Sequence, residues 1–461
     1  MIAESWLEDA SGYRGSAAGL ATPSSFEETA SILRDCFRRR EPVTVAGAGT
    51  GVTGGRCPQG GLVLATSRFR RLDIGNGVAR AGAGLSLTDL HAAAARSGQF
   101  YPPDPTEWSA SVGGTVATNA SGSRSFLYGS TRRWIRALTV ALMDGTVRTF
   151  HRGERIDFPV TPLPAPRARK HTAGYYLREP FDWVDLFCGS EGTLGVVLEA
   201  ELALLPAPRH LLAGVVFFPS EDQAQNAVTD WRPTPRLRML EYFDQHSLAL
   251  LRIRYPEIPP GAAAALLIEQ ILDGLRGDPV DEWLERIERA GALPDSWFGD
   301  SAAERERFRL FRHALPELVN ERARQLGHGK LGTDFAVPVE NSTAMMAVYR
   351  ERLTPAFPGS YCIFGHIGDA HVHVNLLPAD ARQAALAPAV LRELASEAVR
   401  LGGTVSAEHG LGKKKAHLLP MEYTPSQIEA MCAVKSRLDP YWLLGRGTLL
   451  PVPVEFANRS C

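Results

Sequence analysis

The chain has 461 residues, 22% of them charged, with a formal net charge of −1. That length fits roughly three domains with ample cores, and the near-neutral charge gives no electrostatic case for a nucleic-acid partner. Six cysteines without a C-x-x-C pair argue against an internal iron–sulfur or zinc–thiolate site, and no apolar run approaches the ~18 residues of a membrane span.

In chain order, MIAESWLEDASGYRG lacks the apolar core of a signal peptide, so a cytoplasmic protein is expected, free or peripheral at the inner face of the membrane. Residues 23–40 read as a helix: Ser25 and Glu28 form a capping box, and Phe26, Ala30, Leu33 and Phe37 share one face. The strand PVTVAG follows. From 62 to 150 short strands and turns dominate, with one helix at 87–98 and a hairpin around Asp144-Gly145. The stretch 157–180, rich in proline and basic residues, reads as a surface loop. A glycine turn, GSEGTLG, then enters a strand that ends at Pro206.

Residues 209–330 read as helical stretches, among them AAAALLIEQ and AAERERFRLFRHAL. Strands return in TDFAVP and YCIFGHIGDAHVHVNLLP, and 379–401 is helical again. The fold class predicted is α+β, with a cofactor domain at 1–207, an α+β substrate domain at 208–404 and a C-terminal segment at 405–461.

Three segments carry the chemistry of a large ligand. AGAGTGVTGG, 46–55, contains a formal G-x-G-x-x-G at Gly49, Gly51 and Gly54, yet Pro58, Gly60 and Gly61 prevent the helix that a Rossmann turn needs. Such a loop can still present successive N–H groups as a nest for pyrophosphate. The small-residue segment 102–134 and GSEGTLG, 189–195, add two more loops of close backbone approach; together they suit a large, flat, phosphate-bearing cofactor.

FGHIGDAHVHVN, 364–375, concentrates three of the chain's twelve histidines. His371 and His373 share strand parity and His366 does not, although Gly368-Asp369 can supply a bulge that resets the register. Spacing leaves both a metal site and a histidine-bearing core strand open.

VAGAGTGVTGG, PPDPTEW, VGGTVATNASG, YGSTRRW and LFCGSEGTLGVV, in this order, resemble the PCMH-type FAD-binding domain of the vanillyl-alcohol oxidase superfamily. KLGTDFAVP, FGHIGDAHVHVN, SAEHGLGKKKAHLL and KSRLDPYWLL resemble the C-terminal half of its FAD-linked oxidase branch, which includes D-lactate dehydrogenases, the flavin subunit of glycolate oxidase and D-2-hydroxyglutarate dehydrogenase. The resemblance implies FAD-dependent oxidation of a D-2-hydroxy acid to the 2-oxo acid. It places FAD on Gly47, Ala48, Gly49, Thr50, Gly51 and Gly55, on Pro103 and Asp104, on Gly113, Gly114, Thr118 and Asn119, and on Gly192, Thr193 and Val197. With no histidine between 40 and 90, the flavin is expected to be noncovalent.

By the same resemblance His366, His373 and Glu408 are ligands of a divalent metal, zinc first, with manganese, cobalt or iron as alternatives; two imidazoles and a carboxylate form an open borderline-metal set. His409 is the implied base, with a pKa near the usual ~6.5. Arg312, Lys330 and Asn375 are the implied substrate contacts. Lys413, Lys414 and Lys415 read as a solvated or phosphate-facing run. The chain departs from the family pattern at Ala370-His371, where a G-N pair is usual, at GRGT, 445–448, in place of N-P-G-K, and at Ala46 in place of arginine.

An external acceptor must take the electrons: a quinone, an electron-transferring flavoprotein, a separate iron–sulfur subunit or oxygen. A homodimer is compatible with the sequence. Two rival readings are a metal-independent FAD alcohol or polyol oxidase and a noncatalytic flavin electron-transfer subunit.

Overall fold

The computed structural model describes residues 2–457. Helix Phe26–Arg39 opens at Ser25, whose side chain accepts the Glu28 N–H; the Glu28 carboxylate answers to Ser24, not Ser25, so the reciprocal half of the box is displaced by one residue. Its buried face, Ala30, Leu33 and Cys36, packs beside a three-stranded parallel sheet ordered Gly19–Ala21, Leu62–Ala65, Val43–Ala46. A five-stranded antiparallel sheet lies next in the chain, and its hairpin joins Ile135–Ala141 to Val147–His151 through Asp144-Gly145, as expected.

One helix in this region was not foreseen. Val112–Thr118, VGGTVAT, is helical although glycine and β-branched residues disfavour that state. Tertiary contact overrides propensity here: Ser111 caps the helix, and Gly113 sits so close to Ala83 that a Cβ would lie 2.7 Å from the Ala83 Cβ.

The largest sheet has seven strands, all neighbours antiparallel, in the order Trp297–Gly299, Leu211–Phe218, Ala264–Ile271, Leu237–Phe243, Tyr361–Gly365, His373–Leu376, Leu331–Gly332. AAAALLIEQ is therefore not a helix. Ala264–Ile271 is a central strand buried along its whole length, so its unbroken apolar run reflects two covered faces. Helix Ala302–Leu326, held by the Ser301/Glu304 capping box and ended at Gly327, covers one face with Phe308, Phe311, Leu315 and Val319. Burying a side chain such as Phe311 contributes ~3 kcal/mol.

TDFAVP is not a sheet strand either. Beyond Leu331–Gly332 it runs irregularly, touching His371 and Thr404 through isolated bridges at Ala336. The stretch 157–180 is no surface loop: Lys170, Thr172, Ala173, Tyr175, Leu177 and Arg178 are buried. The C-terminal segment returns to the first sheets, where Leu444 bridges Val43 in parallel and Lys435 reaches the Thr193 carbonyl at 2.6 Å.

Candidate active site

Strand Tyr361–Gly365 ends at His366, and a short 3-10 turn, Ile367–Asp369, leads to Ala370 at φ +54 and into strand His373–Leu376. Arg232 pins the turn by donating to the Ile367 and Gly368 carbonyls. Phe126 presses on Gly368, where a Cβ would meet the ring at 2.7 Å, so glycine is required by contact. Asp369 is bonded by Ser125 and stands apart from the histidines' ligand set. The turn resets the register: ring centroids of His366, His371 and His373 lie 4.5 to 5.5 Å apart.

Glu408 joins them. Its Oε1 lies 3.1 Å from His366 Nε2 and 3.2 Å from His373 Nε2, while its Oε2 takes hydrogen bonds from Ser121 Oγ at 2.5 Å, Lys170 Nζ at 2.5 Å and Gly122 N at 3.3 Å. One carboxylate oxygen is thus fixed by the segment after helix Val112–Thr118, and the other faces two imidazoles. Glu408 is held well below the usual carboxylate range; burial opposes this, and Lys170 and His366 outweigh it.

Two overlapping groups have ligand atoms within 4.8 Å of one another: His366, His371, His373 with Glu408, and Asp334, His373, Glu408 with His409. Metal–nitrogen bonds of ~2.0–2.1 Å place neighbouring ligand atoms ~3–3.4 Å apart, which the two Glu408 contacts match. The donor set therefore fits a divalent ion.

Glu408 and His409, adjacent in sequence, serve one centre because the loop curls. Asp334, fully buried, accepts the N–H groups of Ala407, Glu408 and His409, and Gly410 continues the turn at φ +74. The His409 ring stacks on His373 at 5.1 Å and 12°, with Nδ1 3.5 Å from Asp334 Oδ1. Burial pushes His409 down to about 4 despite Asp334, below the ~6.5 expected from sequence, so the ring is neutral at pH 7.

Arg312 is near but already engaged: its Nε bonds Glu241 Oε2 at 2.8 Å, and its other nitrogen reaches Thr106 at 2.6 Å. Glu241 Oε1 in turn lies 2.6 Å from His366 Nδ1. Lys330 is exposed and bonds Asn320. Asn375 is buried on strand His373–Leu376, opposite Cys362 and Gly332. In the lysine run, Lys413 reaches Gly55 O and Thr448, while Lys414 is exposed and reaches Ser11 O.

Glu241, Lys170, Asp334 and Ser121 were missed. Glu241 had a signal, a lone carboxylate in the apolar strand LRMLEYF; so had Asp334 in GTDFAVP. Lys170 had none, since its stretch reads as solvent-exposed.

In the flavin segments, Gly47 packs on Ser111, where a Cβ would lie 2.7 Å from Oγ, and Gly49 has φ +86. The N–H groups of Gly49, Thr50 and Gly51 donate to no other described residue, and this stretch is open, which fits a pyrophosphate nest. Several side chains expected at the cofactor are committed within the protein. Asp104 pairs with Arg124 at 3.1 Å and with Trp108, Thr118 bonds the Gly114 carbonyl, Asn119 accepts the Arg132 N–H, and Thr193 bonds Tyr175. Pro103 is buried, Gly114 N is capped by Ser111, Gly192 lies near Val45, and Val197 is buried within the five-stranded sheet, paired with Val140. A separate cleft of about 1220 Å³, lined by Phe100, Trp134, Arg236 and Arg305 among others, contains none of these groups.

The fold and this site define an FAD-linked oxidase. Residues 207–449 match the family of FAD linked oxidases, C-terminal domain, and residues 17–151 match the FAD binding domain family; the chain belongs to the FAD-linked oxidases and is an oxidoreductase. It is 31% identical to glycolate oxidase subunit GlcD of Bacillus subtilis, covering 95% of this chain and 90% of that one. It is 28% identical to a D-lactate dehydrogenase of Anaerostipes hadrus (93% and 89% covered) and 30% identical to a D-2-hydroxyglutarate dehydrogenase of Xanthomonas citri pv. viticola (93% and 88%). Among solved structures, alkyldihydroxyacetonephosphate synthase shares the fold, with TM-score 0.65 at 15% identity over 94% of this chain and 77% of that one. No helix among the described residues is long and apolar enough to cross a membrane.

Proposed function

We propose that the chain oxidises a small D-2-hydroxy acid to the 2-oxo acid, using noncovalent FAD and one divalent metal, zinc first. The observation that carries this reading is Glu408, whose Oε2 is held by Ser121 and Gly122 of the cofactor domain while its Oε1 faces His366 and His373. When bound, FAD supplies a hydride acceptor at N5 and the metal acidifies the substrate hydroxyl. His366, His373 and Glu408 hold the ion. His409, neutral and half-buried, receives the hydroxyl proton, and its low basicity requires that the hydroxyl be strongly acidified.

Asn375 and Arg312 orient the substrate carboxylate, with Arg312 shared with Glu241; Lys330, exposed beside the lysine run, adds positive potential at the rim. The names of the relatives favour glycolate, D-lactate and D-2-hydroxyglutarate as first substrates to try. Electrons pass to an external quinone, electron-transferring flavoprotein or iron–sulfur subunit. The five described cysteines are all unpaired, in keeping with a cytoplasmic protein.

The test is anaerobic: purified yellow protein is mixed with glycolate, D- and L-lactate, D-malate and D-2-hydroxyglutarate, with and without prior chelation. Bleaching by one D-2-hydroxy acid, abolished by chelation and restored by zinc, manganese or cobalt while FAD stays bound, is expected. Undiminished bleaching in metal-free protein would return the histidines to a structural role, and no bleaching by any 2-hydroxy acid would sink the substrate class.

A further inference from the structure

We infer that His371 is a fourth protein ligand of the metal site, so that this chain holds its ion with three imidazoles and one carboxylate and favours nitrogen-seeking ions such as zinc or cobalt over manganese. This assignment presupposes the metal reading proposed above and sharpens it for a position where the family pattern has asparagine.

His371 is 0% exposed, and its Nδ1 has no hydrogen-bond partner. Its Nε2 lies 3.1 Å from Asp334 Oδ1, a carboxylate that it helps hold ionised. A buried polar group left unsatisfied costs ~1–3 kcal/mol, so a fully enclosed ring with Nε2 against a carboxylate and Nδ1 idle calls for a partner at Nδ1. The neighbours identify its kind: His371 offers a nitrogen within 4.8 Å of the ligand atoms of His366, His373 and Glu408. Its ring centroid is 4.5 Å from that of His373 and 5.2 Å from that of His366. Ala370, at φ +54, and the His371 N–H on the His366 carbonyl at 3.2 Å turn the ring into the cluster.

Position within the site agrees. His371 is closed off, whereas the His409 side chain is 30% exposed, so His371 stands at the inner wall and the approach beside His409 stays open for substrate. The competing quartet of Asp334, His373, Glu408 and His409 is weaker because Asp334 Oδ2 takes three backbone N–H groups and Ser406 Oγ at 2.8 Å, while Oδ1 takes the Glu408 N–H at 3.3 Å and faces His371 Nε2 at 3.1 Å. An added imidazole also moves the donor set toward ions that prefer nitrogen to oxygen.

The experiment uses the FAD-loaded protein stripped of metal. One equivalent of Cu²⁺ is added, and imidazole nitrogens are counted by pulsed electron paramagnetic resonance. In parallel, Zn²⁺ and Mn²⁺ affinities of the wild type, His371→Asn and His409→Asn are measured against a chromophoric chelator. Three imidazoles are expected in the wild type. His371→Asn should weaken Zn²⁺ by more than the ~10–100-fold that loss of an outer-shell partner costs, weaken Mn²⁺ less, and leave His409→Asn as the unaffected control. Two imidazoles in the wild type, or equal Zn²⁺ affinity in wild type and His371→Asn, overturns the assignment of His371 alone. A wild-type protein that binds no divalent ion overturns it together with the metal reading. Should His371→Asn lose its flavin through misfolding, the nitrogen count of His409→Asn decides: three imidazoles keep His371 as the ligand, and two remove it.

Discussion

Replacing Glu241 with glutamine tests the outer layer of the site. The Glu241 side chain is 2% exposed, and its two oxygens are divided between His366 Nδ1 at 2.6 Å and Arg312 Nε at 2.8 Å. Burial would raise its pKa, but His366 and then Arg312 outweigh burial and bring it down to about 2 from 4.5. An ionised Glu241 keeps a proton on His366 Nδ1, so that Nε2, which bonds Glu408 Oε1 here, is the nitrogen given up to a bound ion. Glutamine preserves shape but has one acceptor for two donors. If its amide nitrogen faces His366, the proton moves to Nε2, the nitrogen needed for ligation. Loss of such a carboxylate partner weakens metal binding ~10–100-fold, ~1.4–2.7 kcal/mol. Chelator competition with Zn²⁺ on FAD-loaded Glu241→Gln should show that drop with flavin content unchanged. In metal-free protein the depressed pKa also has a stability consequence: a contribution present above pH 4.5 and lost as pH falls toward 2, which the variant lacks. Wild-type Zn²⁺ affinity in Glu241→Gln would refute the role given to this carboxylate.

His409→Ala should keep both metal and FAD and slow anaerobic flavin reduction by ~10²-fold or more; a wild-type rate would remove it as the base. Glu191 accepts the Leu411 and Gly412 N–H groups, and burial pushes its pKa up to about 7 from 4.5. Because the folded value is raised, its contribution is present below pH 4.5 and lost as pH rises through about 7. Thermal unfolding from pH 5 to 8 should therefore fall more steeply for wild type than for Glu191→Gln, and parallel profiles would contradict the shift.

Sequence reasoning reached much of this molecule, and the limits have physical causes. Motifs with fixed chemistry were readable as segments, and the structure brings His366, His373, Glu408 and His409 together and leaves the N–H groups of Gly49, Thr50 and Gly51 without a partner among the described residues. Local propensity failed where burial decided. AAAALLIEQ has a helical composition, but only its position between two other strands makes it a strand, and that position depends on residues 22 to 60 places away. The same holds for Lys170: nothing within PAPRARKHTAG announces that its ammonium is buried against a carboxylate 238 residues further on. Roles that arise from nonlocal neighbours leave no local pattern to read.

The bonds between the first glycine loop and the C-terminal segment set an order of assembly on the ribosome. Thr53 O receives the Lys413 and Lys414 N–H groups, Gly55 O receives Lys413 Nζ, 358 residues away, and Gly445 N closes on Val43 O. At ~5–20 residues per second, the glycine loop leaves the ribosome roughly 20–70 s before its closing partners are made. During that interval the loop lacks the bonds that the C-terminal segment gives it. A chain interrupted short of Lys413 would lack all of them, and its flavin content beside that of the full chain measures how far cofactor binding depends on this closure.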